Sequence, residues 1–229
     1  MNRSLQHPVS STPDSIGNPR APHRFDEAAL AALASRIKTW GRELGFGEIG
    51  ISDTDLADAE AGLAAWLDAG CHGEMDYMAK HGMKRARPAE LVAGTRRVIS
   101  ARMAYLPAAA SGGKGAESAL HGESESSVEV GSQAPRIDWR AHEQARLADP
   151  AAAVVSIYAR GRDYHKVMRQ RLQQLAERIE AEVGAYGYRV FADSAPVLEV
   201  ELAQKAGVGW RGKHTLLLQR DAGSLFFLG

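Results

Sequence analysis

Apolar residues recur along this chain at spacings that alternate between three or four residues and two, and the changes mark successive elements. Over residues 30–44 the apolar side chains lie three or four residues apart, which predicts an amphipathic helix. Asp26 stands at the expected N-cap position, and Gly45 ends the helix. Residues 47–53 (GEIGISD) then alternate in the manner of a strand, and a second amphipathic helix closes at Gly70.

The rest of the pattern predicts further helices and strands in alternation. In chain order they are a short helix within 72–82, strands over 98–106 and 152–159, a helix over 164–183, a strand over 188–192, a helix over 198–206 with Pro196 in its first turn, and a hairpin within 215–229. Alternating strands and helices predict an α/β fold in which helices cover a sheet, and the hairpin implies that the sheet is mixed.

Two segments lack the large apolar residues that a core needs. Residues 1–24 are rich in Ser, Pro and Asn, and residues 108–134 are rich in Gly, Ser, Glu and Ala. Such compositions bury too little apolar surface to offset the entropy of ordering. We expect a disordered tail over 1–24, and one folded domain over 25–229 that carries a flexible surface insertion at 108–134.

The net charge and the hydropathy of the chain limit the kinds of partner that we expect it to bind. The 28 basic and 28 acidic residues cancel, so only a local patch could bind a polyanion. Residues 158–169 (YARGRDYHKVMR) form such a patch, for which a solvated helix face is the alternative interpretation. No apolar stretch reaches the length of about 18 residues that a membrane helix needs, nor is there a signal-peptide core, so we expect a soluble, cytoplasmic protein.

The cysteine count restricts the cofactors that this chain can hold by itself. Cys71 is its single cysteine, which excludes an internal disulfide and a zinc or iron–sulfur site ligated by several thiolates of this chain. His165, beside Tyr164, is a candidate metal ligand or acid–base group, but no second His or Cys lies at a metal-ligand spacing, so we predict no metal site.

Two segments could carry chemistry. Asp193 follows the predicted strand 188–192, and ligands of α/β proteins bind at such strand ends; it could equally cap the next helix. The loop 207–214 (GVGWRGKH) offers glycines for close backbone approach beside cationic side chains, but Gly207 could be a helix C-cap and Trp210 a core residue. The spacing alone leaves these alternatives open.

Several long segments, taken together, resemble the epoxyqueuosine reductase family, whose members complete queuosine in the anticodon of tRNA. The segments occur in the family's order between Asp26 and Gly229. They are GFGEIGISDTDL, GEMDYMAKHGMKRARPAELVAGTRRVISARMAYLP, YARGRDYHKVMRQRL, FADSAPVLEVELAQKAGVGWRGKHTLLL and AGSLFFLG.

The resemblance implies a nitroreductase-like scaffold that binds cobalamin, followed in the family by a ferredoxin-like domain with two [4Fe–4S] clusters. The implied reaction is the two-electron reduction of the epoxide of epoxyqueuosine to an alkene, with the oxygen leaving as water. The implied partner is tRNA, and we expect a monomer at full length and no membrane.

The family's residues map onto two parts of this sequence. The DSAP segment places the proton donor on Asp193. The resemblance assigns cobalamin contacts to Gly212, Lys213 and His214, and further contacts to Arg85 and Tyr158.

One departure from the family changes what we expect of the chain. The cysteine runs that ligate the two clusters are absent, so we expect a truncated member that is inactive in isolation. The alternatives are a corrinoid- or tRNA-binding module without turnover and a flavin-dependent reductase of the nitroreductase type.

Overall fold

The computed structural model describes residues 25–106 and 138–229, so the predicted tail and insertion lie outside the described residues. The helices are α1 (Glu27–Glu43), α2 (Ala57–Asp68), α3 (Asp76–Lys80), α4 (Pro88–Leu91), α5 (Trp139–Ala148), α6 (Tyr164–Val183) and α7 (Glu199–Lys205). The strands are β1 (Glu48–Ser52), β2 (Val98–Ala104), β3 (Trp210–Arg211), β4 (Leu217–Leu218) and β5 (Phe226–Leu228). None of the described helices has the length and apolar character to cross a membrane.

The strands form two small sheets. The larger has the order β1-β2-β5, with Ile49 opposite Ala101 and Met103 opposite Phe227, and the smaller pairs β3 with β4. The α/β class predicted from the sequence is confirmed. The strand pairings in the described ranges are all antiparallel, so the parallel pairs that a mixed sheet requires are not among them.

The two strands predicted over 152–159 and 188–192 are wrong. Residues 157–159 form a 3-10 turn, and the preceding carbonyl of Val155 accepts a hydrogen bond from the Arg160 guanidinium at 2.7 Å instead of pairing in a sheet. Residues 188–192 run in irregular backbone. The central strand β2 already pairs on one side with β1 and on the other with β5, which leaves it no edge for another strand.

The C-terminal hairpin is also wrong as a pair of mutually bonded strands. A tight turn joins Gln219 to Gly223, but β4 pairs with β3 whereas β5 pairs with β2. The predicted helix after Pro196 exists as α7, although it begins at Glu199 and its N-cap is Leu198, which makes no side-chain capping bond. Asp193 is therefore not a helix cap.

The core lies in three clusters. The first joins α1, the larger sheet and α6 through residues such as Ile37, Ile49 and Met168, and it includes Ala192. The second joins α2, the segment around Ala86 and α7, and it includes Ala195; the third underlies β4 and β5. The chain passes from the first cluster to the second through the two exposed residues 193 and 194.

Two local features place α6 and α7 against the sheet. The carboxylate of Asp163 caps α6 by accepting the backbone N–H of His165 at 3.0 Å. On β1, Gly50 has no side chain where the end of α7 approaches, since a methyl group there would lie 2.5 Å from the carbonyl oxygen of Ala206. The absence of a side chain at Gly50 thus permits α7 to pack closely on the sheet.

Candidate active site

Asp193 occupies an exposed turn with unusual backbone geometry. Its φ is 57°, in the left-handed region, which non-glycine residues rarely adopt but which Asp tolerates better than most. Ala192 is completely buried before it, and Ala195 is buried after it. Two buried anchors therefore hold the backbone in a conformation that presents the Asp193 carboxylate outside the core.

Both polar partners of the Asp193 side chain come from the first turn of α6. The phenol of Tyr164 donates a short hydrogen bond to Oδ2 of Asp193. Nε2 of His165 lies 3.3 Å from the same oxygen. No hydrogen bond to Oδ1 of Asp193 occurs within residues 25–106 and 138–229, and the side chain is 44% exposed, so this oxygen is available to a ligand.

The second ring nitrogen of His165 contacts another carboxylate. Nδ1 lies 2.9 Å from Oδ1 of Asp163, the residue that caps α6. The hydrogen bond from His165 is the largest cause that lowers the pKa of Asp163 below its usual value. The imidazole of His165 therefore contacts the carboxylates of Asp163 and Asp193 at the same time.

Tyr164 is held in place by ring stacking on both faces. Its ring centroid lies 3.8 Å from that of Phe227 on β5, with the planes 2° apart, and 3.9 Å from the imidazole of His165. Burial, followed by the hydrogen bond to Asp193, raises the pKa of Tyr164 well above its usual value. The phenol thus stays protonated and remains a donor to Asp193 at any physiological pH.

Glu199, the first residue of α7, lies behind the Asp193 turn. Burial, and then the charge of Asp193, raise its pKa to about 7, although the Asp193 backbone N–H acts in the opposite direction. Its Oε1 has no hydrogen-bond partner in the described part of the chain. The residue also lines a cavity of about 720 Å³ with mostly apolar walls between β2, α6 and α7.

Comparison with known proteins identifies the family. Residues 85–194 match the family model described as epoxyqueuosine reductase QueG, DUF1730. The chain is 71% identical over 229 residues to the epoxyqueuosine reductase of Burkholderia pseudomallei, covering 100% of this chain and 52% of that protein. It is 55% identical over 197 residues to that of Alicycliphilus denitrificans, covering 86% and 48%.

The chain belongs to the epoxyqueuosine reductase family. It spans about half the length of the curated relatives it matches. Its fold is similar to a crystal structure of epoxyqueuosine reductase with a tRNA-Tyr epoxyqueuosine-modified tRNA stem loop, with a TM-score of 0.61 at 15% identity over 87% of this chain and 44% of that one. At that identity the likeness concerns the fold.

Among the site residues expected in this epoxyqueuosine reductase family member, Tyr158 is a neighbour of Tyr164, the phenol that donates to Asp193. Its ring is half exposed and packs edge-on against Tyr105 at 6.4 Å, and Tyr105 in turn contacts Phe227. The charge of an ionised Tyr158 would contribute to the raised pKa of Tyr164, so the two phenols are neighbours.

Arg85 has a structural environment. It is buried, and its guanidinium donates to the carbonyl oxygens of Met78 at 3.0 Å and of Tyr77 at 2.9 Å. Its own carbonyl accepts the backbone N–H of Leu198, one residue before α7. In this family member Arg85 therefore ties α3 to the segment that leads into α7.

Gly212, Lys213 and His214 form the tip between β3 and β4. The Gly212 N–H donates to the Leu216 carbonyl, and the Leu216 N–H donates to Nδ1 of His214 at 3.2 Å, while Lys213 and His214 are exposed. A methyl group on Gly212 would meet the His214 ring at 2.6 Å. Within the described ranges no hydrogen bond or ring contact joins this tip to Asp193.

Two alternatives left open by the loop sequence are settled by the structure. Gly207 follows the end of α7 with a φ of 75°, so it is a helix C-cap glycine. Trp210 is half exposed, so its interpretation as a core residue is wrong. In the basic patch, Arg160 forms two hydrogen bonds with the Glu143 carboxylate, whereas Arg162 is exposed.

Sequence reasoning missed the roles of Asp163, Tyr164 and Glu199. The Asp-Tyr-His triplet lies at the predicted start of a helix, within the segment 158–169 that the sequence presents as a basic patch. Its approach to Asp193 spans 29 residues in sequence and depends on the path of the chain between them. The only sequence signal for Glu199 was an acidic residue among apolar residues at the start of a predicted helix.

Proposed function

We propose that this chain is the part of an epoxyqueuosine reductase that donates the proton, with Asp193 as the acid. The reaction reduces the epoxide of epoxyqueuosine in tRNA to an alkene, and the oxygen leaves as water. The observation that carries the proposal is the exposed Asp193 turn, in which Tyr164 and His165 contact Oδ2 and no described residue donates a hydrogen bond to Oδ1.

A carboxylic acid suits the chemistry of this step. Opening an epoxide places negative charge on its oxygen, and a positioned acid removes that charge as it develops. Oδ1 of Asp193 would meet the epoxide oxygen, because Oδ2 is engaged by Tyr164 and His165. The left-handed turn fixes the direction in which the carboxyl points.

The exposed tip between β3 and β4 fits a cobalamin. Lys213 and His214 present donors to solvent, as the amide fringe of a corrin requires, and hydrogen bonds to Gly212 and His214 fix the shape of the tip. Half-exposed Tyr158 offers an aromatic ring near Tyr164. When bound, cobalamin would supply the electrons of the reduction.

The donor set does not fit the two [4Fe–4S] clusters of the family. Each cluster needs several thiolates, and Cys71 is the single cysteine of the chain. We therefore assign no electron-transfer step to residues of this chain.

The proposed macromolecular substrate is tRNA. Support comes from the related structure solved with a tRNA-Tyr epoxyqueuosine-modified stem loop. In this chain Arg162, Lys166 and Arg169 are exposed around the start of α6, on the helix that carries Tyr164 and His165. Such a local patch could contact phosphates although the net charge is zero.

A chimera tests the activity. This chain replaces the matching residues of the Burkholderia pseudomallei enzyme, and reduction of epoxyqueuosine in a tRNA stem loop is measured. We expect activity, and we expect Asp193→Asn to lower kcat about 10²- to 10⁴-fold, the usual contribution of a general acid. An active chimera that tolerates Asp193→Asn would refute Asp193 as the acid.

A titration tests the cofactor. We expect cob(II)alamin to bind the purified chain saturably, with conversion of its absorbance and EPR spectra to the base-off form. The double variant Lys213→Ala/His214→Ala should bind more weakly, whereas Lys38→Ala, on exposed α1 surface, should bind normally. No binding by a chain that circular dichroism shows to be folded would contradict the assignment, and bound FMN would favour the flavin reductase instead.

A further inference from the structure

The proposed reaction needs more protons than one carboxylic acid holds. Reduction of an epoxide to an alkene and water takes up two electrons and two protons. Asp193 can give one proton and must then be recharged before the oxygen leaves as water. The structure therefore has to connect Asp193 to a source of protons.

His165 lies where such a source belongs. Its Nε2 is 3.3 Å from Oδ2 of Asp193 and its Nδ1 is 2.9 Å from Oδ1 of Asp163, so the imidazole bridges two carboxylates. An imidazolium donates from both nitrogens, which matches an acceptor on each side. The His165 side chain is 45% exposed, so the ring can exchange protons with solvent.

The two oxygens of Asp193 separate the incoming from the outgoing proton. Oδ2 receives both protein contacts, from the phenol of Tyr164 and from His165. Oδ1 accepts no hydrogen bond from the residues that the structure describes. A carboxyl group can accept a proton on one oxygen while it gives one from the other, so the first transfer through Asp193 needs no rotation, and a second transfer needs a half-turn of the carboxyl.

We propose that His165 recharges Asp193 during turnover and that Asp163 and Tyr164 position the pair. This inference rests on the proposed function. Oδ1 gives its proton to the epoxide oxygen, and the proton on Nε2 of His165 moves to Oδ2. The neutral imidazole keeps its Nδ1 proton against Asp163, and a solvent proton returns to Nε2. No electron moves in the relay. After the first pass the new proton is on Oδ2, so a half-turn of the carboxyl exchanges the two oxygens and presents this proton for the second transfer.

Asp163 and Tyr164 act through their neighbours. Asp163 holds the Nδ1 proton and thereby directs Nε2 at Asp193, while its other contact caps α6. Tyr164 fixes Oδ2 and stacks on the imidazole at 3.9 Å, so it limits the motion of both groups. Each is a positioning residue, and its loss should weaken transfer without abolishing it.

Chemical rescue in the chimera tests the relay. We expect His165→Ala to lower kcat about 10²-fold with little change in KM. Millimolar imidazole should then raise the kcat of this variant at least about tenfold, because free imidazole can recharge Asp193. Asp193→Ala should not be rescued. His142→Ala, on exposed helix α5, is the matched control and should keep full activity. An unchanged kcat for His165→Ala, or a loss that imidazole does not restore, would overturn the relay.

Conservative variants separate positioning from folding. Tyr164→Phe retains the stack and Asp163→Asn retains a cap, so both should fold, and each should lower kcat about 3- to 30-fold with no response to imidazole, because the imidazole of His165 is still present. Full activity of both variants would remove the positioning roles.

Nitrogen-15 NMR of the His165 ring in the isolated chain tests its contacts with Asp163 and Asp193 independently of turnover. The Nε2 shift should move in Asp193→Asn and the Nδ1 shift in Asp163→Asn, with neither moving in His142→Ala. An inactive wild-type chimera with these shifts present would count against the proposed function and leave the bridge standing. Ring nitrogen shifts that change in neither Asp193→Asn nor Asp163→Asn would overturn the relay.

Discussion

At the scale of single residues, the site depends on side chains whose surroundings alter their ordinary chemistry. Tyr164 is kept protonated by burial and by Asp193, and Glu199 is kept from ionising fully by burial behind the Asp193 turn. The aspartate itself stands in a left-handed turn between two buried alanines. Each of these effects can be tested at one position.

The raised pKa of Glu199 predicts a pH-dependent cost in stability. Folding raises this pKa from 4.5 to about 7, so between these values the folded chain holds a proton that the unfolded chain has lost. Stability is therefore lost as the pH rises through this window. Glu199→Gln should match the wild type near pH 4 and exceed its free energy of unfolding by roughly 2 kcal/mol at pH 8, a value reduced for partial exposure to solvent.

Urea unfolding at several pH values measures this difference. Glu177→Gln, on the exposed face of α6, is the control and should differ from the wild type by the same small amount at every pH. A Glu199→Gln curve that runs parallel to the wild type across the window would show that Glu199 ionises normally in the folded chain.

Asp193 illustrates how far sequence reasoning reaches at this scale. The resemblance singled out the residue, because the DSAP segment carries it. Its environment could not be predicted, since Tyr164 and His165 reach it through a fold that local spacing does not encode. The capping role that spacing did suggest was wrong, because α7 begins six residues later.

At the scale of elements, helices were predicted better than strands. The predicted α1, α2 and α6 are confirmed, because apolar stripes and caps such as Asp26 lie within the element itself. Whether an extended apolar segment pairs depends on a free strand edge elsewhere in the chain. Residues 188–192 find none beside β2, and residues 152–159 end in a turn held by Arg160.

The contact between β1 and α7 gives a prediction for two glycines. Gly50→Ala should lower the free energy of unfolding by about 1–3 kcal/mol, because its methyl group would meet backbone and side-chain atoms of Ala206 and Val208 at 2.5–2.6 Å. Gly62→Ala, in α2 with nothing within 4 Å, should raise it by about 0.5–1 kcal/mol. Urea denaturation measures both, and equal effects would mean that β1 and α7 do not approach so closely.

At the scale of the whole molecule, the site lies where separate parts of the core meet. Asp193 connects the cluster of α1 and α6 with the cluster of α2 and α7, and Phe227 brings the last strand against Tyr164. Acid, donor and support thus come from three segments distant in sequence. Stability and site geometry should respond together to changes at their junction.

Phe227 provides the test of this coupling. Phe227→Leu keeps an apolar side chain but removes the parallel stack on Tyr164, so we expect a loss of about 1–1.5 kcal/mol in unfolding free energy and a lower kcat in the chimera. Leu225→Ala, on the exposed approach to β5, should change the unfolding free energy by less than about 0.5 kcal/mol. Normal turnover by a destabilised Phe227→Leu variant would separate the two properties.

The helical phase of α6 has a consequence for which changes the chain can accept. Tyr164 and His165 reach Asp193 from the first turn, while Met168, completely buried, fixes the rotation of the helix about its axis. One residue inserted or deleted between His165 and Met168 would turn both side chains by about 100° around that axis, away from the acid. A substitution in this segment can be accommodated by local repacking, whereas a change of length would leave the protein folded and the acid without either of its partners.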